Sequence, residues 1–103
     1  MIDTPPDNAE IVARPGRDIV ASMVEEFRRE LRELVQRRPT ALRLDLAGVG
    51  MIDSLGLGLL ISAHNTLANQ GGKLILDNVS QDLASLFRIM RLDQRMDVRP
   101  AQG

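Results

Sequence analysis

Strands and helices alternate along this chain, and that order restricts the fold more than any other feature of the sequence. Residues 41–46 alternate strictly, which places leucines on one side of a strand and Arg43 and Asp45 on the other. Segments with helical apolar spacing precede and follow this strand. Such an order predicts an α/β domain with a small mixed, largely parallel sheet. The charged strand face further predicts that the helices pack chiefly on one side of that sheet.

Three helices are predicted from apolar spacing and from the residues at their ends. The first begins at a capping box formed by Ser22 and Glu25 and ends before Pro39. The second opens at Asp53, and the third begins at Ser80. Besides the central strand, shorter strands are expected at residues 9–13, 18–20, 73–77 and 96–98.

The length of 103 residues is that of one domain with one core. Residues 1–8 are polar and contain two prolines, so we expect a disordered lead-in followed by a single domain over residues 9–103. There is no cysteine, which excludes disulfides and thiol chemistry and is typical of a reducing compartment. With no signal-peptide pattern and no apolar run long enough to span a bilayer, a cytoplasmic location is expected.

Composition and spacing also argue against several classes of function. A net charge of -1 and an aromatic content of 2% offer little to nucleic acid or to an anionic membrane. The single histidine, His64, lies ten residues after Ser54 on the same predicted helix, about 15 Å away along its axis, which is too far for a catalytic dyad. Neither a complete nucleotide-binding glycine motif nor a spaced set of metal ligands occurs. The sequence therefore predicts no catalytic residue, no metal site and no cofactor, and the chain is not expected to be an enzyme.

One segment, residues 46–58, is not explained by this simple description. Met51 and Ile52 are apolar in a loop, where polar residues are usual, and this indicates either a contact surface or a hydrophobic staple. Gly56 and Gly58 lie in the first turns of a helix, where each costs about 1 kcal/mol relative to alanine. Glycine there permits close approach by another backbone or by a partner, and Ser54 at the helix start is accessible to a kinase. The alternative is an ordinary loop in which Asp53 or Ser54 simply caps the helix.

The same segment resembles the signature of STAS domains of the anti-sigma-factor-antagonist (anti-anti-sigma factor) type, roughly hydrophobic-Asp-Ser-[Ser/Thr]-Gly-Leu-Gly. Here it reads Ile52-Asp53-Ser54-Leu55-Gly56-Leu57-Gly58. The resemblance covers about residues 18–98 and is most specific over residues 41–87. Two positions depart from the family pattern: Leu55 replaces the usual Ser or Thr, and Arg91 stands where many relatives have glycine.

The resemblance implies a phosphorylation-switched regulator that binds proteins and takes part in bacterial signal transduction and transcription regulation by partner switching. Ser54 would be the phosphate acceptor. The unphosphorylated domain would bind an anti-sigma factor that is also a serine kinase of the GHKL type, phosphorylation would release it, and a PP2C-type phosphatase would restore binding. The implied partner-binding residues are Met51, Ile52, Asp53, Ser54, Gly56 and Leu57.

Two other functions stay open at this point. The chain could be a constitutive STAS subunit of a membrane complex such as an ABC-type lipid transporter, binding its ATPase, with Ser54 as a contact residue only. It could also sense a small ligand or nucleotide at the helix start beside Ser54. Co-purification with an ATPase would favour the first function, and tight nucleotide binding by the isolated domain would favour the second.

Overall fold

The computed structural model describes residues 9–102, so the predicted lead-in at residues 1–8 lies outside the described residues. Within that range the chain alternates strands with helices, as the sequence predicts. In chain order the elements are β1 (Ile11–Ala13), a short 3-10 helix (Ala21–Met23), α1 (Val24–Gln36), β2 (Ala41–Asp45), α2 (Ser54–Asn69), β3 (Lys73–Val79), α3 (Gln81–Ile89), a second short 3-10 helix (Leu92–Gln94) and β4 (Asp97–Pro100).

The four strands form one sheet in the spatial order β1-β2-β3-β4, and every neighbouring pair is parallel. The spatial order is therefore the chain order, with β1 and β4 at the edges. Each β–α–β connection leads to the next strand on the same side, and such connections normally have the same hand. The connecting helices therefore lie on the same face of the sheet. The predicted α/β class is confirmed, and among the described residues the sheet is parallel throughout.

The core lies between the sheet and the helices. The leucines of β2 and β3 point to the same face because their Cα atoms are in register, Leu42 with Leu74 and Leu44 with Leu76. All four are fully buried. They pack in one cluster with the inward stripes of the helices, which include Val24, Phe27, Leu31, Val35, Leu60, Leu67, Leu83 and Phe87. The helices thus cover one face, as the charged strand predicts.

The opposite face of the sheet carries a network of ion pairs. The Arg43 guanidinium donates to Glu10 Oε1 at 2.9 Å and to Asp77 Oδ2 at 3.0 Å. Each of these charges is partly solvated, so the pairs stabilise the fold only modestly. Their arrangement holds β1, β2 and β3 side by side.

Asp45, on the same face, is buried rather than solvent-exposed as the alternating pattern suggested. Its carboxylate accepts hydrogen bonds from Asn78 Nδ2 at 2.9 Å, from the backbone N–H of Ala47 at 3.0 Å and from Arg14 Nε at 2.9 Å. These donors, Asn78 first, lower the pKa of Asp45 below its ordinary value. A buried charge is tolerated here because three donors satisfy it.

Candidate functional site: the start of helix α2

The loop between β2 and α2 lies at the carboxyl edge of the sheet, the edge at which parallel α/β domains usually carry their sites. Leu46 and Val49 are buried and fix the loop to the core, and the Val49 N–H donates to the Leu46 carbonyl at 3.0 Å. The tight turn between them passes through Gly48, whose φ is +83°, a conformation that favours glycine. The loop is therefore held in place before α2 begins.

A distant segment of the chain is hydrogen-bonded to this loop. The Ile19 N–H donates to the Met51 carbonyl at 3.0 Å, and the Asp53 N–H donates to the Ile19 carbonyl at 3.2 Å, which forms an isolated parallel bridge between Ile19 and Ile52. The strand predicted at residues 18–20 is thus a single bridge rather than a strand. It joins the approach to α1 to the approach to α2.

Asp18 strengthens the same junction. Its Oδ1 accepts from the backbone N–H groups of Gly50 at 2.8 Å and of Met51 at 3.0 Å. Two adjacent loop donors are thereby satisfied by one carboxylate from another part of the chain. No local pattern in the sequence indicates this role for Asp18, because its partners lie 32 and 33 residues away.

The carboxylate of Asp53 caps two helices at once. Its Oδ1 accepts from the Gly56 N–H at 2.9 Å, as expected for the N-cap of α2, and its Oδ2 accepts from the Ala21 N–H at 2.8 Å, at the start of the first 3-10 helix. The predicted capping box of Ser22 and Glu25 is wrong: the N-cap residues of the 3-10 helix and of α1 are Val20 and Met23, and neither makes a side-chain cap hydrogen bond. The Asp53 carboxylate supplies from across the chain the acceptor that a local side chain was expected to provide.

Hydrogen bonding also sets the charge state of Asp53. The N–H of Gly56, followed by those of Ala21 and Leu55, lowers the pKa of Asp53 below its ordinary value, against the opposing effect of desolvation. Asp53 is therefore an anion at neutral pH, and it lies next to Ser54 in the chain.

The two glycines of α2 have different surroundings. A β-carbon on Gly56 would overlap the carbonyl oxygen of Ile19 and would lie 2.9 Å from Cγ2 of both Ile19 and Ile52. A β-carbon on Gly58 would meet no atom within 4 Å. Gly56 is needed for the fold of the junction, whereas Gly58 leaves open space one turn after Ser54, on the same side of the helix.

The predicted partner-binding residues divide into an exposed group and a buried group. Ser54, the first residue of α2, is exposed, and the Met51 side chain is 58% exposed. Ile52 and Leu57 are buried at 5% and 8%, and Gly56 is buried as well. The expectation that these three line the docking surface needs correction, because they belong to the junction beneath it.

Leu55 is exposed beside Ser54 and is not among the predicted partner-binding residues. Leu55 is 53% exposed and directly follows Ser54 in the chain. Met51, which is also exposed, lies three residues before Ser54. The sequence contained a signal for this residue: an apolar side chain at the outward-facing second position of a helix whose inward stripe begins at Leu57. Met51, Ser54 and Leu55 together are called the switch surface below.

Residues 9–102 contain no group of three or more His, Cys, Asp or Glu side chains that could hold a metal ion. His64 lies nearly three turns after Ser54 along α2 and is half-buried, with its Nδ1 buried and unpartnered among the described residues. No helix in the described part of the chain combines the length and the apolar character needed to cross a bilayer.

The described residues form a parallel α/β domain with helices on one face of the sheet and an exposed serine at the start of a helix at the sheet's carboxyl edge. The STAS domain family model matches residues 2–102, and the chain belongs to that family. The resemblance drawn from residues 52–58 is therefore confirmed.

Two curated relatives carry the name anti-sigma-B factor antagonist. The Listeria monocytogenes protein is 34% identical over 62 residues, which cover 60% of this chain and 54% of that protein. The Bacillus subtilis protein is 39% identical over 57 residues, which cover 55% of this chain and 52% of that protein. The chain thus spans about half the length of the curated relatives it matches.

Solved structures share the fold. A Thermotoga maritima protein described as a candidate anti-sigma factor antagonist superposes with a TM-score of 0.79 at 17% identity, covering 96% of this chain and 81% of that one. The anti-sigma factor antagonist SpoIIAA in its unphosphorylated form gives a TM-score of 0.69 at 21% identity, covering 93% and 83%. The phosphorylated form of the Bacillus SpoIIAA gives 0.69 at 22% identity, covering 95% and 86%.

Proposed function

We propose that this chain is an anti-sigma factor antagonist switched by phosphorylation of Ser54. In its unphosphorylated form it binds an anti-sigma factor that is also a serine kinase of the GHKL type. Phosphorylation of Ser54 releases this partner, and a PP2C-type phosphatase restores binding. The chain acts in the cytoplasm and is itself not an enzyme.

The observation that carries this proposal is the position of Ser54 on the switch surface. Ser54 is the exposed first residue of α2, and the apolar residues Met51, three positions before it, and Leu55, directly after it, are both more than half exposed. Exposed apolar side chains around a polar centre are typical of protein contact sites. The names of the curated relatives and the existence of SpoIIAA in phosphorylated and unphosphorylated forms support the same function.

The mechanism follows from charge. A phosphate adds about -1.5 to -2 charges at Ser54. In the free domain this charge is solvated and lies near the N-terminal N–H groups of α2, so the fold tolerates it. In a docked complex the same charge must lose water beside the anionic Asp53, which opposes binding. Because Ser54 lies outside the hydrogen-bonded junction, release needs no refolding of the domain.

Gly58 contributes space to this mechanism. A kinase must bring its catalytic groups close to the Ser54 hydroxyl. Because Gly58, one turn after Ser54, has no side chain, it leaves open space beside that hydroxyl. The helix tolerates the glycine although alanine would be more stable there.

The test compares Ser54→Ala with Ser54→Asp in the organism of origin. Each tagged variant is purified from cells, and co-purifying proteins are quantified by mass spectrometry; Asn65→Asp, which adds a negative charge on an exposed position of the same helix, is the control. We expect a GHKL-type kinase with Ser54→Ala and Asn65→Asp, and its loss with Ser54→Asp. The wild-type protein should carry one phosphate on Ser54 in part of the population.

An unmodified Ser54 under several growth conditions, together with equal partner recovery on both Ser54 variants, would overturn the switch. Recovery of the same ATPase on both variants would instead fit the constitutive subunit of a transporter.

A further inference from the structure

A groove runs between α1 and α2 on the outer side of the helices. It has a volume of about 380 Å³. Its floor is apolar and includes Leu31, Val35 and Leu59. A space of this size accommodates a few side chains of a docked segment.

One rim of the groove is basic. Arg28 and Arg32 line it from α1, and none of its lining residues is acidic. Arg28 has an acidic neighbour, Glu25, but the 3.7 Å ion pair joins two well-exposed side chains and is weak. The groove therefore favours an occupant with negative charge beside its apolar contacts.

The polar lining favours a peptide over an acyl chain. Ser62, Thr66 and Gln70 follow one another along the α2 wall, and Gln70 Oε1 is buried without a hydrogen-bond donor. An acyl chain offers no polar group to this wall, whereas the carboxylates of an acidic peptide can accept hydrogen bonds from the Ser62 hydroxyl and the Gln70 amide.

The groove is continuous with the switch surface. Leu55 precedes Leu59 by four residues and Ser62 by seven, so Leu55 lies on the same face of α2 as the groove wall. A partner that contacts Leu55 beside Ser54 therefore reaches the upper end of the groove without changing direction.

We propose that the α1–α2 groove seats an acidic amphipathic helix of the protein partner that docks on the switch surface. This inference rests on the proposed function, because it adds a second contact to the same docking event. Apolar side chains of that helix occupy the floor, and its acidic residues face Arg28 and Arg32. Affinity then comes from the groove, while Ser54 controls whether the whole partner remains bound.

The test uses a defined probe. A capped, fluorescent helical peptide of alanine, leucine and glutamate, with leucines on one face and glutamates on both flanks, is titrated into the Ser54→Ala protein. Its control peptide has lysine in place of every glutamate. We expect the acidic peptide to bind with a Kd below the millimolar range, the basic peptide not to bind, and amide NMR shifts to be confined to α1 and α2.

Variants of the protein locate the binding. Arg32→Glu should weaken binding of the acidic peptide by about tenfold or more. Arg29 is an exposed arginine of the same helix that lies outside the groove, so Arg29→Glu should change the affinity little. Ser62→Phe fills the groove from an exposed position and should also abolish binding. Unchanged NMR spectra of the free variants show that they fold.

Equal binding of both peptides, NMR shifts elsewhere, or no binding at all would overturn the groove proposal. Because the probe is tested on a protein that cannot be phosphorylated at residue 54, these results do not depend on the switch. If the partner binds Ser54→Ala but not Ser54→Asp, and the acidic peptide does not bind, the proposed function is supported and the groove proposal is wrong.

Discussion

The carbonyl oxygen of Ile19 occupies the space in which a side chain on Gly56 would begin. The first turn of α2 therefore packs directly against the backbone of the segment that leads into α1. The bridge between residues 19 and 52 and the double cap by Asp53 depend on this close approach. The switch surface is rigid because two helix starts are held together beneath it.

The two glycines of α2 provide a matched pair of substitutions. Gly56→Ala should lower the free energy of unfolding by about 1–3 kcal/mol, because the Ile19 backbone must move to admit the methyl group. Gly58→Ala should raise it by up to about 1 kcal/mol, since the position is open and alanine favours the helix. Urea unfolding followed by circular dichroism measures both. Equal effects would contradict the distinct roles assigned to them.

The lowered pKa of Asp53 makes part of the stability dependent on pH. The folded state favours the anion, so this contribution is fully present above the pKa of an unfolded aspartate, about 3.9. It is lost as the pH falls through the lower pKa of the folded state. Asp53→Asn should therefore destabilise the protein at neutral pH, and the difference from wild type should shrink in acid.

Unfolding of both proteins by urea across this acid range measures the effect. Asp93→Asn removes the same charge from an exposed position and serves as the control. A stability difference between Asp53→Asn and wild type that stays constant with pH would show that the ionised carboxylate is not what joins the two helix starts.

Arg91 provides a third test, at the end of α3. It follows the C-cap residue Met90 with a φ of 60°, a left-handed conformation that costs a non-glycine residue about 1 kcal/mol or more. Arg91→Gly should therefore raise the free energy of unfolding by about 1 kcal/mol, whereas Arg88→Gly, inside α3, should lower it by a similar amount. If Arg91→Gly lowers the free energy of unfolding, the Arg91 side chain stabilises the fold by more than its left-handed backbone conformation costs.

The local patterns of the sequence predicted the fold well. The alternation around Arg43 fixed β2 and the side of the sheet that the helices cover. The sequence predicts a cap at Asp53 or Ser54 for α2 and at Ser80 for α3, and in the structure Asp53 and Ser80 accept from the N–H groups of Gly56 and Leu83. These features depend on neighbours in the chain, which is why spacing alone reveals them.

The features that the sequence did not reveal all involve partners far apart in the chain. The cap of the 3-10 helix comes from Asp53, not from Ser22, and the loop donors at residues 50 and 51 are satisfied by Asp18. The resemblance assigns Ile52 to the docking surface, while its apolar character in a loop leaves a contact surface and a hydrophobic staple open; its bridge to Ile19 buries it. Only the assembled junction shows which apolar loop residues face solvent.

The four strands have the same order in the sheet as in the chain, and this affects how the protein can fold while it is being synthesised. Each strand pairs with the strand made just before it, so every β–α unit can dock as it leaves the ribosome. The hydrogen bonds of the junction beneath the switch surface join residues 18–21 to residues 50–53, and both segments precede β3 in the chain. These hydrogen bonds can therefore form in a nascent chain before β4, the last strand of the described residues, has joined the sheet.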